Sequence, residues 1–362
     1  FVERYFTKSR AFNMNSFRKT VLPEKTGRLK VITILGARPQ FIKASVVSQA
    51  IKATVGSDHE IHEQILHTGQ HYDEEMSNKF FIELNIPEPS FHLGICGGGH
   101  GSNTGRMLEA IEKVLLEQGP DAVLVYGDTD STLAGALAAS KLKIPVVHVE
   151  AGLRSFNRHQ PEEQNRVLTD HLSDLCFAPT DVAVTHLLRE GIAEDRIVRT
   201  GDVMADVARI FAEQAKSQAS EPLDLPANPF ILATIHRAEN SDDPTRLEAI
   251  LKALAEVTTN GTGDFEPLPV ILPLHPRTRH RVALHQIEHL LVPLTITEPI
   301  GFLAMLVLER RAALVVTDSG GVQKEAFMQG TPCVTVRTET EWGELLACSW
   351  NRLADPSDEL SI

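Results

Sequence analysis

Cysteine is scarce and unpaired in this chain: Cys96, Cys176, Cys333 and Cys348 stand far apart, with no Cys-x-x-Cys spacing. That excludes a disulfide framework and a thiolate zinc site, and it points to a reduced, cytoplasmic setting. Long hydrophobic runs are missing too. The apolar runs end after five to seven residues, whereas roughly 18 to 20 are needed to cross a bilayer, so no membrane partner is expected. Positive charge is in deficit: 35 Lys+Arg stand against 48 Asp+Glu, a net charge of −13. This is the wrong sign for neutralising phosphate backbones, and no nucleic acid is expected as a partner. Residues 1–30 lack the apolar core of a secretory signal. The chain starts at Phe1 with its first methionine at Met14, which reads as a fragment or an upstream translated segment, and 1–30 are set aside as an N-terminal extension without assigned order.

What remains is ordinary globular material, 42% hydrophobic and 23% charged over 362 residues. At roughly 150 residues per domain, this length predicts about two domains. From Val31 short β-branched runs alternate with helical stretches, the rhythm of parallel βαβ units. Strands are predicted at 31–35, 61–67, 121–126, 144–149 and 197–200, and helices at 105–118, 130–142 and 161–173. The polar, Pro-containing stretch 217–229 reads as a linker. Beyond it the rhythm restarts, with strands at 230–235, 269–274, 294–297, 312–317 and 332–337. The expected class is therefore α/β with two Rossmann-like domains, 31–216 and 230–362. Ligands of such sheets lie beyond the carboxyl ends of the strands, so a cleft between the domains is the expected site.

Residues just after strands therefore matter most. Strand 31–35 runs into Gly36-Ala37-Arg38-Pro39, with Lys43 one turn further on. Arg38 and Lys43 either hold an anionic ligand near a helix N-terminus or form a solvated surface pair. No G-x-G-x-x-G fingerprint stands here, which argues against NAD in its usual place. Strand 121–126 delivers Asp128, and strand 144–149 delivers Glu150. Each is either a helix cap or loop anchor, or an acid/base group. Glu162 and Arg166 are four apart at the start of a helix, either a surface ion pair or a third carboxylate with a cation beside it. If Asp128, Glu150 and Glu162 converge, like-charge repulsion leaves one of them able to exchange protons near neutrality.

In the second half, His236 and Arg237 follow one strand, and His275-Pro276-Arg277 follows the next. A lone histidine there is usually structural; two such placements favour a ligand site. His67 and His71 have the spacing of metal ligands, but Thr68-Gly69-Gln70 interrupts any helix, and no metal is expected. The most informative segment is Thr317-Asp318-Ser319-Gly320-Gly321, a strand followed by a glycine turn and a helix pattern. Its free N–H groups suit a diphosphate, and Glu325 one turn later suits a ribose diol.

Seven segments, GARPQFIK (36–43), YGDTDST (126–132), HVEAGLRS (148–155), PEEQNR (161–166), TIHRAEN (234–240), LHPRT (274–278) and DSGGVQKEA (318–326), together resemble the non-hydrolysing UDP-N-acetylglucosamine 2-epimerases, in matching order over about residues 31–345. The resemblance implies a GT-B fold, a homodimer, and interconversion of UDP-GlcNAc and UDP-ManNAc for cell-surface polysaccharide precursors. It implies anti elimination of UDP to a 2-acetamidoglucal, followed by re-addition on the other face. By motif, Asp128, Glu150 and Glu162 would be the acid/base carboxylates; Arg38, Lys43, Arg166 and His236 would support the diphosphate and the reacting sugar. Ser319 and Gly320, with Gly321, would bind phosphate, and Glu325 the ribose; His275 and Arg277 complete the expected substrate contacts. No cofactor is needed, because the reaction conserves electrons.

Some segments depart from the common family pattern. Thr340-Glu341-Trp342-Gly343-Glu344, TGQHYDEEM (68–76) and Lys324 look more like the branch acting on UDP-2,3-diacetamido-2,3-dideoxy-glucuronate, which makes that sugar the alternative substrate. Gln70-His71-Tyr72-Asp73 is the counterpart of a segment that holds a second UDP-GlcNAc in regulated members. The family's closing helices are expected beyond Ile362. A glycosyltransferase of the same fold and a non-catalytic nucleotide-sugar binder are the competing readings.

Overall fold

Each short aliphatic run from Leu29 onward becomes a strand covered on both faces, as all-parallel sheets require. The computed structural model describes residues 28–55, 60–70, 84–217, 229–261 and 266–357. The chain divides between Val207 and Ala208 into two units. That division falls inside the helix Val203–Ser217, upstream of the predicted linker at 217–229. Residues 218–228 of that linker and 1–27 of the N-terminal extension lie outside the described residues, as does the effector-like segment from His71 on.

In the first unit β1 (Leu29–Leu35), β2 (Ile61–His67), β3 (Phe91–His92), β4 (Ala122–Tyr126), β5 (Val146–Val149), β6 (Leu175–Ala178) and β7 (Ile197–Arg199) form one sheet in the order β3-β2-β1-β4-β5-β6-β7. Every pairing is parallel. The helices between them are α1 (Arg38–Lys52), α2 (His100–Gln118), α3 (Asp130–Lys141), α4 (Pro161–Leu172) and α5 (Asp181–Arg189), followed by α6 (Val203–Ser217). Met107, Ile111 and Leu115 of α2 pack with Ile32, Ile34, Val123 and Val125 of the sheet. This is the apolar stripe read from the sequence, although α2 begins at His100 rather than at 105. β3, β6 and β7 beyond Arg199 depart from the predicted strands: β3 has only two residues and β6 follows directly on α4.

The second unit repeats the plan. β8 (Ile231–Thr234), β9 (Val270–Pro273), β10 (Thr295–Thr297), β11 (Leu314–Thr317), β12 (Cys333–Val336) and β13 (Asn351–Ala354) run in the order β10-β9-β8-β11-β12-β13, again all parallel. Helices α7 (Ala238–Ser241), α8 (Pro244–Thr259), α9 (Pro276–His285), α10 (Phe302–Arg311), α11 (Val322–Gln329) and α12 (Gly343–Ala347) connect them. β13 was not expected, since Asn351 and Arg352 mask its alternation.

In both sheets the chain leaves a central strand and returns on its other side, between β1 and β4 and between β8 and β11. The connections diverge at these two points, the place at which open α/β sheets generally bind their ligands, beyond the carboxyl ends of the strands. Arg38 and Asp128 follow β1 and β4, while His236 and Ser319 follow β8 and β11. The α/β class with two parallel-sheet Rossmann-like units is thus what the chain adopts.

Candidate active site

The sharp turn out of β4 places Gly127 with φ +61°, a conformation open to glycine at little cost. A side chain there would press on the Lys43 Nζ at 3.3 Å and the Glu150 carboxylate at 3.4 Å. So the ends of β1, β4 and β5 meet at one point. Lys43, projected from the second turn of α1, is ion-paired with Glu150, and both side chains are buried. Glu150 itself holds φ +74°, the left-handed region that costs a non-glycine residue about 1–2 kcal/mol. The strain is held in place because the N–H groups of Glu150 and Ala151 both donate to the Phe177 carbonyl, at 3.1 and 3.0 Å. Strained backbone of this kind, over-determined by its surroundings, is characteristic of functional sites.

Asp128 follows Gly127 and accepts from Arg166 at 2.6 Å, with the aspartate 32% exposed and the arginine 3%. Arg166 also pairs with Glu163 at 3.2 Å. It is therefore a buried cation shared between the β4 turn and α4, not half of a surface pair with Glu162. Asn165 Nδ2 donates to the Asp128 carbonyl and to Asp130 Oδ1, both at 3.0 Å, which fixes the turn that carries Asp128.

The two adjacent glutamates of α4 differ in what they are left to do. Glu163 is buried, and its carboxylate accepts from the Ser155 and Phe156 N–H groups, each at 2.9 Å. Glu162 lies half-buried in the first turn, and among the described residues none bonds to its carboxylate. Of Asp128, Glu150 and Glu162, Glu150 is paired with Lys43 and Asp128 with the Arg166 guanidinium that Glu163 shares, which offsets the repulsion expected among the three. Arg38 opens α1, half-buried at the carboxyl end of β1.

In the second unit the organising group is Asp318, fully buried at the end of β11. It accepts the N–H groups of His236 and Arg237 at 3.0–3.1 Å and Asn240 Nδ2 at 3.2 Å. The loop after β8 is thereby tied to the glycine turn, and His236 Nδ1 stands 3.4 Å from Asp318 Oδ1 with its ring 40% exposed. At the turn, the Ser319 N–H is already donated to Thr317 Oγ1 at 2.9 Å. The Gly320 and Gly321 amides stand ahead of α11, beside a Ser319 N–H that is bonded within the turn. Ser319 Oγ accepts from the Val322 N–H at 3.3 Å and so caps α11. Glu325 is buried, its carboxylate 3.6 Å from where a side chain on Gly321 would start.

The other two expected ligand residues open α9. His275 Nδ1 accepts from the Arg277 N–H at 3.2 Å as the N-cap of α9. Arg277 reaches Asp242 at 2.6 Å in an exposed pair that Arg281 shares. The His275 ring does lie 5.7 Å from that of His236, which keeps it beside the glycine turn's neighbour. His67 is a core group, stacked on Phe41 with centroids 5.1 Å apart. Among the described residues no cluster of His, Cys, Asp or Glu could hold a metal ion, and no helix is long and apolar enough to cross a membrane.

Sequence comparison decides the family. Residues 53–361 match the sequence profile described as UDP-N-acetylglucosamine 2-epimerase. The chain belongs to this family. It is a UDP-sugar 2-epimerase of the non-hydrolysing kind, an isomerase. The UDP-2,3-diacetamido-2,3-dideoxy-D-glucuronate 2-epimerase of Pseudomonas aeruginosa is 52% identical over 337 residues, 92% of this chain and 90% of that protein. The UDP-N-acetylglucosamine 2-epimerase of Methanocaldococcus jannaschii is 44% identical over 341 residues, 92% and 90% of the two chains. The crystal structure of the M. jannaschii epimerase in complex with UDP-GlcNAc and UDP superposes with a TM-score of 0.85 at 43% identity, covering 92% of this chain and 90% of that one.

Several residues that hold the candidate site residues in place carry no signal of that role in the sequence. Gln40, Asn165, His148, Asp170 and Asn240 act across separations of 16 residues or more, and Glu163 ties α4 to the loop just before it. Gln40 is the clearest case: its Oε1 accepts the Gly36 and Ala37 N–H groups, and its Nε2 donates to the Tyr126 carbonyl at 3.0 Å.

Proposed function

We propose that this chain inverts C2 of UDP-2,3-diacetamido-2,3-dideoxy-glucuronate. The observation that carries this reading is the 52% identity, over nearly the whole chain, to a relative named for that sugar. Relatives named for UDP-N-acetylglucosamine stand at 43 to 46%. The Trp342-Gly343 variant and Lys324 support the same branch, so this sugar is favoured over UDP-N-acetylglucosamine, the main expectation from the family motifs. UDP-N-acetylglucosamine is the second reading, favoured by the family description.

In the proposed reaction a carboxylate takes the C2 proton while the C1–oxygen bond breaks, and its electron pair leaves with UDP. The result is a glycal with a C1–C2 double bond that keeps both acetamido groups and the C6 carboxylate. Protonation of C2 on the opposite face and return of the UDP oxygen to C1 complete the inversion. Electrons balance without a redox partner. Asp128, Glu150 and Glu162 are assigned the proton transfers, with Lys43 and Arg166 holding Glu150 and Asp128 in place. Arg38 and His236 support the diphosphate and sugar, Gly320 and Gly321 donate N–H groups to phosphate, and Glu325 accepts from the ribose. The working form is proposed to be a cytoplasmic homodimer, as the family resemblance implies.

The test is kcat/KM for both sugar nucleotides, followed by separation of the C2 epimers. The reading expects at least about tenfold preference for the diacetamido-uronate, a transition-state difference of about 1.4 kcal/mol. Equal use of both sugars, or preference for UDP-N-acetylglucosamine, would replace it with the second reading.

A further inference from the structure

His148 is fully buried in β5, two residues before the strained Glu150, and each of its ring nitrogens has a definite partner. Nε2 lies 2.7 Å from the Gly127 carbonyl oxygen, which can only accept, so Nε2 carries a hydrogen. Nδ1 lies 2.7 Å from Asp170 Oδ1. The other oxygen of Asp170 accepts from the Gly152 N–H at 3.0 Å and pairs with Arg154 at 2.7 Å. Burial by itself would raise the Asp170 carboxyl, but its bonds to His148 and Arg154 outweigh that and hold it below the usual range. Asp170 therefore accepts, and the His148 ring is held from both sides, by the Asp170 carboxylate and by the Gly127 carbonyl.

These contacts join three elements that carry the candidate chemistry. Gly127 donates its N–H to the Val149 carbonyl at 3.0 Å and accepts from His148, so the end of β4 is locked to β5 on both its backbone groups. Asp170 lies on α4, the helix that also presents Glu162 and Arg166. The Gly152 bond draws in the backbone just past Glu150. None of these groups forms part of the glycine turn in the second unit.

We propose that His148 is a positioning residue for the epimerisation: its Nε2–H bond to Gly127 sets the turn that carries Asp128 beside Glu150. This rests on the reading of Asp128 and Glu150 as the proton-transfer groups. Displacing such a group by about an ångström can cost on the order of a hundredfold in rate without loss of binding.

The two amide replacements separate this role from simple packing. In His148→Gln the side-chain nitrogen reaches the position of Nε2 and keeps the donor to Gly127, giving up Asp170. In His148→Asn the nitrogen sits near Nδ1 and keeps Asp170, giving up Gly127. Each retains one of two buried bonds, so a purely structural role affects them alike. Exchange of C2 hydrogen in deuterated water, KM and UDP affinity by calorimetry are measured for wild type and both variants. The expected result is that His148→Asn loses kcat by about a hundredfold or more, while His148→Gln stays within about tenfold of wild type. KM and UDP affinity should stay within about threefold in both.

Equal kcat in the two variants overturns the proposal. If wild type exchanges with neither sugar, the failure belongs to the functional reading instead. Should neither variant fold, nitrogen-15 histidine spectra of the wild-type chain decide the matter. A protonated Nε2 on this solvent-protected histidine supports the bond to Gly127. An unprotonated Nε2 on His148 overturns it.

Discussion

Lys43 meets the carboxylate of Glu150, a residue held at φ +74°, with both side chains buried. The two come from opposite sides of β4, one from α1 and one from the end of β5. A buried ion pair is weak evidence for stability, because removing two charges from water offsets most of their attraction; breaking it from one side is what costs. This pair sits on strained backbone beside Gly127, and that combination is better explained by chemistry than by folding.

Substitution of either partner breaks the pair from one side, and each should cost about 3–5 kcal/mol of stability: Lys43→Met leaves Glu150 buried without its cation, and Glu150→Gln leaves Lys43 buried without its counter-ion. The chemistry separates them: in folded Glu150→Gln, C2 exchange should fall at least about a hundredfold with UDP affinity held. Thermal unfolding, exchange in deuterated water and calorimetry read the three quantities. Undiminished exchange in Glu150→Gln contradicts the proton-transfer role.

Nucleotide affinity should respond to the glycine turn instead. A side chain on Gly320 would run into the Glu341 carboxylate, which is pinned by Arg337 at 3.0 Å. The Gly320 carbonyl also receives the Trp342 indole N–H at 3.1 Å, so the turn has little freedom to yield. Gly320→Ala should weaken UDP by about tenfold or more, about 1.4 kcal/mol. Glu325→Ala should weaken it as well by removing the ribose acceptor, and calorimetry with UDP alone checks both. Unchanged affinity in Glu325→Ala would refute that role.

Acid should destabilise the first unit through His67. Burial, and secondly the charge of nearby His92, push its imidazole down from an ordinary 6.5 to about 4. The unfolded chain takes up this proton as the pH falls past about 6.5, whereas the folded chain resists until about 4. Stability from His67 is thus complete above that range and declines through it, by about 3 kcal/mol in all at 1.36 kcal/mol per unit. Asp170, held low, acts in the same direction. His67→Gln should flatten the decline of the unfolding midpoint between pH 6.5 and 4 without abolishing it; an unaltered slope would contradict the assignment.

What could be read from the sequence was local. Asp128 and Glu150 stand directly after aliphatic runs, and the Ser319-Gly320-Gly321 turn sits between a strand and a helix, so strand ends and short-range turn chemistry were enough to find them. The parallel sheets followed from continuous apolar strands such as VITIL and AVLVY. Residues whose partners lie 20 to 90 positions away gave no such signal. His148 looked like one more inward residue of a strand, Asp170 like a polar residue late in a helix, and Gln40 like filler, yet each ties two or three elements together. The fate of Arg166 was also hidden: helical spacing favoured Glu162, but tertiary burial gave the guanidinium to Asp128 and Glu163. Strands β6 and β13 escaped because one abuts a helix and the other opens on polar residues.

Proton removal at C2 is tested by incubating the intact chain in deuterated water with UDP-2,3-diacetamido-2,3-dideoxy-glucuronate and, separately, with UDP-N-acetylglucosamine. The mechanism predicts one deuterium at C2 of both epimers with at least one of the two sugars, and none elsewhere on the ring. Epimerisation without deuterium at C2, or no exchange with either sugar by a folded chain that binds UDP, would contradict it.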